Sequence, residues 1–316
     1  MAVIFLRNRE KKIFYFFILL FFLSGCKTIP PRPEEKSPSQ EVQIIPKVPF
    51  YRQKGNTCGP SALASLLSYW GVQFDYQKLI KELYIPGLGG SLDFEITFYP
   101  RRFNLWSKYS QENLDYLKAR IKENIPVIVL HKEIAVKGGY HYLVIFGFDE
   151  RRKGFLAHTG RKPRVWLSYA NFLKKWQGAD WATITICPPE KVSWTLGGED
   201  YLYLGYLLEK NGDLKKAEEF YEKTIQLLPR VKIAYFNLGN IYFKQKEFLK
   251  AEEFYKRAIA LDENFADACN NLAYLYLTTR KNLEEARLLI ERAISLDPRN
   301  ENYLDTLNQI KKEVGE

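Results

Sequence analysis

Four regimes of hydrophobic patterning follow one another along the 316 residues. Residues 13–23 are wholly apolar, behind Arg7, Arg9, Lys11 and Lys12. Residues 27–46 lose that character. Pro30, Pro31, Pro33, Pro38 and Pro46 stand there among Glu, Lys and Ser, a composition that buries no core and stays extended. From residue 47 to 193 apolar positions recur first at helical spacing and then as strands. Leu63, Leu66, Leu67 and Trp70 predict one buried helix. Residues 79–83 and 114–121 predict two more. The period then changes: residues 125–130, 138–149, 155–157, 165–167 and 181–186 read as strands, with a short helix over 169–176 between the last two. Val48-Pro49-Phe50-Tyr51 predicts an edge strand, because proline donates nothing to a ladder. Helices first and strands later point to an α+β domain. Residues 86–110 follow neither template.

The fourth regime repeats itself. Tyr201, Leu204, Gly205, Ala217 and Tyr221 recur 34 residues later as Tyr235, Leu238, Gly239, Ala251 and Tyr255. A third copy reads Cys269, Leu272, Ala273, Ala286 and Ile290, with one extra residue near Lys281. Small residues at Gly205, Gly239 and Ala273 let paired helices approach, and Tyr303, Leu304, Leu307 and Ile310 predict a capping helix. Period and residue types resemble the tetratricopeptide repeat, which implies an all-α solenoid that binds a protein partner or peptide. A stabilising appendage packed on the first domain is the other reading.

The N-terminal pattern is that of a secretory signal, too short for a membrane span. It ends in Leu23-Ser24-Gly25-Cys26, which resembles the bacterial lipobox. That resemblance implies cleavage before Cys26, lipid on its thiol, and an envelope location facing the periplasm. Lys27 is not the aspartate associated with inner-membrane retention, which favours the outer membrane. The expected organisation is a signal over 1–25, a tether over 26–46, one domain over 47–193 and the repeats over 194–316. An uncleaved anchor helix is the alternative.

Charge divides along the same line. Residues 26–193 carry 25 basic and 15 acidic side chains; residues 194–316 carry 18 and 21. Basic loops at 151–153 and 161–164 fit solvated charge or an anionic surface, and no nucleic-acid partner is expected. The four cysteines, Cys26, Cys58, Cys187 and Cys269, show neither metal-ligand spacing nor a disulfide framework. No metal or other cofactor is expected.

Cys58 carries the candidate chemistry. Gly55 and Asn56 make a turn, Pro60 suits a first helical turn, and the thiol therefore stands at a helix N-terminus, where N–H groups favour a thiolate. His141 enters an apolar strand after two glycines. A thiol at a helix start and an imidazole on a strand form the nucleophile and base of cysteine hydrolases. A buried core cysteine and a core histidine are the plainer readings. Gln53, Asn56-Thr57-Cys58-Gly59-Pro60-Ser61-Ala62 and Gly139-Tyr140-His141-Tyr142 through Gly147-Phe148-Asp149 resemble the bacteriocin-processing, double-glycine leader peptidase family. The resemblance implies a papain-like fold, Cys58 as nucleophile, His141 as general base and Gln53 as an oxyanion-hole amide. The expected fold class is thus an α+β papain-like cysteine peptidase domain followed by a tetratricopeptide-repeat solenoid. One departure stands out. Where the family carries an Asp to orient the imidazole, this chain reads Leu156-Ala157-His158-Thr159-Gly160, so His158, Thr159 or the more distant Asp149 is left to orient His141. A peptidase, a peptide-binding scaffold with weak or no catalysis, and an acyltransferase or amidase on the same fold all fit these residues.

Overall fold

The computed structural model describes residues 41–133 and 139–315. Cys26, the signal and most of the tether lie outside the described residues. Among the described ones, no helix is long and apolar enough to cross a membrane.

The sheet of the first domain is wholly antiparallel: β1 (Val42–Ile44), β2 (Trp106–Gln111), β3 (Val127–Lys132), β4 (Tyr140–Asp149), β5 (Gly154–His158), β6 (Val165–Ser168) and β7 (Ala182–Cys187). Its order is β2-β7-β3-β4-β5-β6, and β1 also pairs with β4. Strand β4 is apolar on both faces because it is central. On one edge β3 pairs with Tyr140 to Ile145 and β1 with Gly147 to Asp149; β5 takes the other edge. The ladder register places Val127, His131 and His141 on one face and Leu130, Tyr142 and Val144 on the other.

Helix α1 (Cys58–Tyr69) covers the second face, with Leu63, Leu66 and Leu67 fully buried. Each such side chain contributes about 1.5–3 kcal/mol. Helix α2 (Tyr76–Leu83) starts on Asp75, whose carboxylate accepts from the N–H of Gln77 and of Lys78. Helices α4 (Leu114–Lys122) and α5 (Tyr169–Gln177) cover the first face, through the Tyr116–Thr185 hydroxyl pair at 2.9 Å and the Phe172 ring against His131.

Three local expectations change. Residues 42–44 are not tether but sheet, and Ile45 is fully buried, because Val42, Ile44 and Ile45 supply apolar side chains that the proline-rich run before them lacks. Residues 48–51 pair with no strand; they are held instead by the Val48 carbonyl, which accepts from His158 Nε2 at 3.0 Å. Residues 86–110 contain helix α3 (Asp93–Phe98), a 3₁₀ turn (Tyr99–Phe103) and strand β2. Six residues is too short a helix for periodicity to declare, and β2 alternates only weakly because it is an edge strand.

The repeats form three antiparallel helix pairs, α6/α7 (Gly198–Lys210, Leu214–Leu227), α8/α9 (Lys232–Lys244, Phe248–Leu261) and α10/α11 (Ala266–Thr279, Leu283–Leu296), closed by α12 (Glu301–Val314). The small residues act as expected. A Cβ on Gly205 would stand 2.6 Å from the Tyr221 ring, and one on Gly239 would stand 2.5 Å from the Tyr255 ring. The third pair tolerates Ala273 because the facing residue is Ile290, not tyrosine. Its extra residue is absorbed by two left-handed positions, Arg280 and Asn282, where the other turns use one each, Gly212 and Lys246.

The first pair docks on the sheet domain. Trp194 meets Trp106 at 5.5 Å and lies under the Arg120 guanidinium at 3.6 Å. Lys108 pairs with Asp200, and Arg101 lies between the rings of Phe98 and Tyr203, 4.1 and 4.2 Å away.

Gly239→Ala will destabilise the repeats by about 1–3 kcal/mol, since the Tyr255 ring is fully packed. Urea unfolding read by far-UV circular dichroism measures the loss. The double variant Gly239→Ala/Tyr255→Ile, which copies the third pair, will recover part of it.

Candidate active site

The residues around Cys58 leave the start of α1 open to an anion. Thr57 is the N-cap, yet its hydroxyl makes no cap bond to the helix. It closes the preceding turn instead, donating to the Lys54 carbonyl and accepting the Lys54 N–H, both at 3.0 Å. No side chain therefore occupies the first N–H groups of the helix. The helix start is pressed against β4: a Cβ on Gly59 would lie 3.3 Å from the Tyr142 ring and 3.2 Å from Ile96. Glycine at this position is a packing requirement.

His141, the second residue of β4, reaches Cys58. Burial pushes the Cys58 thiol up, but the hydrogen bond from His141, the N–H of Tyr142, the charge of His141 and the N–H of Gly59 outweigh it, and the thiol falls below its ordinary value. Burial pulls His141 down, while the Cys58 hydrogen bond and the Thr159 carbonyl lift it above the usual histidine range. The two shifts oppose in the sense that favours a thiolate–imidazolium pair.

The imidazole is oriented from behind by backbone. His141 Nε2 lies 2.7 Å from the Thr159 carbonyl, which can only accept, so Nε2 carries the proton and Nδ1 is left for the thiol. The three candidate orienting residues thus separate. Thr159 is at the site, but its hydroxyl is engaged with Lys162 at 3.2 Å and its carbonyl does the orienting. His158 is buried and turned away, Nε2 donating to Val48 O and Nδ1 accepting from the Arg164 N–H, with the ring 4.4 Å from Phe146. Asp149 ends β4 eight residues from His141 and pairs with Arg151 and Arg152. Neither His158 nor Asp149 is brought to His141.

Gln53 is fixed to the same turn as Thr159. Its backbone N–H donates to Gly160 O at 2.9 Å, and its side-chain nitrogen donates to Gly55 O at 2.8 Å. Its Oε1 is buried against Gly160 without a partner among the described residues. The amide lines the same cleft as Cys58, and its second N–H is free among the described residues to meet an oxyanion.

That cleft, about 1020 Å³, opens over the end of the sheet between α1 and α5. Several lining groups were not anticipated. Asp93 accepts from the Tyr142 hydroxyl and ties α3 to β4 beside the thiol. The Tyr142 N–H, from the facing strand, helps lower the thiol. His131 from β3 and Glu133 just after it line the cleft. Backbone groups leave no trace in residue identity, and Asp93 lies in the stretch without periodicity. His131 was visible as one of three histidines, and only its cross-strand place opposite His141 distinguishes it.

Residues 45–181 match the Peptidase_C39 like family. Residues 201–229, 233–265 and 266–300 each match the tetratricopeptide repeat. The chain therefore joins a Peptidase_C39-like α+β domain to a tetratricopeptide-repeat solenoid. No curated protein matches the chain. Among solved structures it is similar to the first tetratricopeptide-repeat domain of Spaghetti (RPAP3) bound to an HSP90 peptide, with 24% identity over 38% of this chain and 94% of that one, TM-score 0.36. It is also similar to the OM64 tetratricopeptide-repeat domain of Arabidopsis, with 20% identity over 37% and 96%, TM-score 0.36. A third is MamA, with 27% identity over 37% and 68%, TM-score 0.36.

Two outcomes follow from this geometry. Iodoacetamide will alkylate Cys58 below the pH at which an ordinary thiol titrates. In His141→Ala the profile will move up, since the hydrogen bond and charge of His141 are lost while burial and the N–H groups of Tyr142 and Gly59 remain; mass spectrometry of the Cys58 peptide against pH reads the shift. Gly160→Ala places a Cβ 2.2 Å from Gln53 Oε1 at a φ of +71°, and so displaces the turn that holds the Thr159 carbonyl. The alkylation rate at pH 7 will fall by about tenfold or more, the equivalent of about 1.4 kcal/mol.

Proposed function

We propose that this Peptidase_C39-like domain with its attached repeats is a cysteine peptidase of the bacterial envelope, held to a membrane by lipid on Cys26 and provided by its solenoid with a binding surface for substrate or a partner protein. The observation that carries the reading is the line from the Thr159 carbonyl through His141 to Cys58 at an uncapped helix start. In the reaction the Cys58 thiolate attacks the scissile carbonyl. The oxygen that becomes negative is met by the Gln53 amide and an N–H of the α1 start. Collapse breaks the C–N bond, and the imidazolium of His141 transfers its Nδ1 proton to the departing amine. Water, deprotonated by His141, then hydrolyses the thioester and returns the thiolate.

A binding-only reading is favoured by one observation. The group behind His141 is a neutral carbonyl where the family places a carboxylate, and a carbonyl stabilises an imidazolium less. The two readings separate at Cys58: a depressed thiol titration belongs to the peptidase, an ordinary one to the binding module.

Incubated with a proteome-derived peptide library, the full chain will produce new N-termini, and Cys58→Ala will reduce them by about 10⁴-fold or more. Cleavage that survives in Cys58→Ala would overturn the peptidase reading. Cys26→Ser will abolish metabolic incorporation of labelled palmitate and release the chain from membranes.

A further inference from the structure

A second imidazole stands in the cleft, and the hydrolytic steps do not use it. His131 lies directly opposite His141 in the β3–β4 ladder, so both side chains rise from one face of the sheet with Cβ atoms about 5 Å apart. His131 is 3% exposed and lines the cleft, and its Nε2 has no hydrogen-bond partner among the described residues. A buried polar atom left unbonded costs about 1–3 kcal/mol, so a group bound in the cleft that paired with this one would recover that cost. His158 is the internal control: it is as deeply buried, and both of its nitrogens are bonded.

The surroundings define what fits. The Phe172 ring is 4.8 Å from the imidazole, and Leu143 and Leu167 also line the cleft. Lys175 and Glu133 pair with each other at 2.9 Å, and Arg161 and Asp180 line the same cleft. Burial, and then the Lys175 charge, hold His131 near a pKa of about 4, so it is neutral wherever the Cys58–His141 pair operates. It is therefore no second base. A neutral imidazole offers one donor and one acceptor. An ionic group placed against the imidazole and the Phe172 ring would lose hydration. An uncharged polar group would keep its hydrogen bonding.

We propose that His131 is the polar floor of a substrate subsite, hydrogen-bonding the hydroxyl or carboxamide of a Ser, Thr, Asn or Gln side chain close to the scissile bond. The assignment to a peptide substrate rests on the peptidase reading; the subsite itself is tested without turnover. With only three histidines in the chain, ¹³C-labelled imidazole resonances can be assigned by substitution. Titration of the full chain with N-acetyl-asparaginamide will perturb the His131 resonance saturably. N-acetyl-leucinamide and N-acetyl-aspartate amide will bind at least tenfold more weakly. Equal perturbation by all three, or none by the asparagine probe, overturns the subsite.

In the peptide-library digest, wild type will favour an uncharged polar residue at one position near the cut. His131→Leu will lose that preference by about tenfold, His131→Gln will keep part of it, and iodoacetamide alkylation of Cys58 will be unchanged in both. A preference that persists in His131→Leu, or an alkylation profile that moves with it, also overturns the proposal. If iodoacetamide finds no depressed thiol in wild type, the peptidase reading fails by itself, and the asparagine titration still decides the subsite.

Discussion

Everything at the site depends on where one proton sits. The Thr159 carbonyl holds hydrogen on His141 Nε2, and that bond leaves Nδ1 to face the thiol. A carbonyl cannot change protonation state, so the tautomer is set by covalent structure rather than by the pKa of a partner. The carbonyl is aimed by a turn in which Gly160 takes a left-handed conformation and Gln53 grips the glycine from the other side. The Gln53 backbone and the Thr159 carbonyl thus meet at one small turn behind His141, and β5 leads into that turn through His158.

The thiol side is organised by what is withheld. An N-cap threonine ordinarily satisfies a helix N–H. Here Thr57 turns back to Lys54, and the N–H of Gly59, with that of Tyr142 from the facing strand, serves the sulfur. The fold accepts a helix without its cap bond and gains an anion site. Close packing at Gly59 keeps β4 near enough for both contributions to converge.

Much of this was legible from residue order. The α1 helix, the β3 to β7 strands, the repeat phase and the small-residue contacts at Gly205 and Gly239 all follow from periodicity, because burial in one environment per face writes itself into the pattern. The stretch from 86 to 110 did not declare itself, since a six-residue helix and an edge strand bury too little to impose a period. At the site, Cys58, His141 and Gln53 could be singled out by side-chain chemistry and setting. The element that orients His141 could not, for it is a main-chain oxygen identical in every residue; looking for a carboxylate led to His158 and Asp149, which the topology sends elsewhere. Val42, Ile44 and Ile45 were likewise hidden by the prolines beside them.

Strand β1 has a geometric consequence. It joins the ladder against the last residues of β4, and His141 stands near the first. Eight residues of strand separate those ends, about 25 Å of stiff, hydrogen-bonded backbone. Val42 and the mouth of the cleft thus lie toward opposite ends of β4. A load applied at Val42 is borne by the three-residue β1 ladder, at the end of β4 remote from His141.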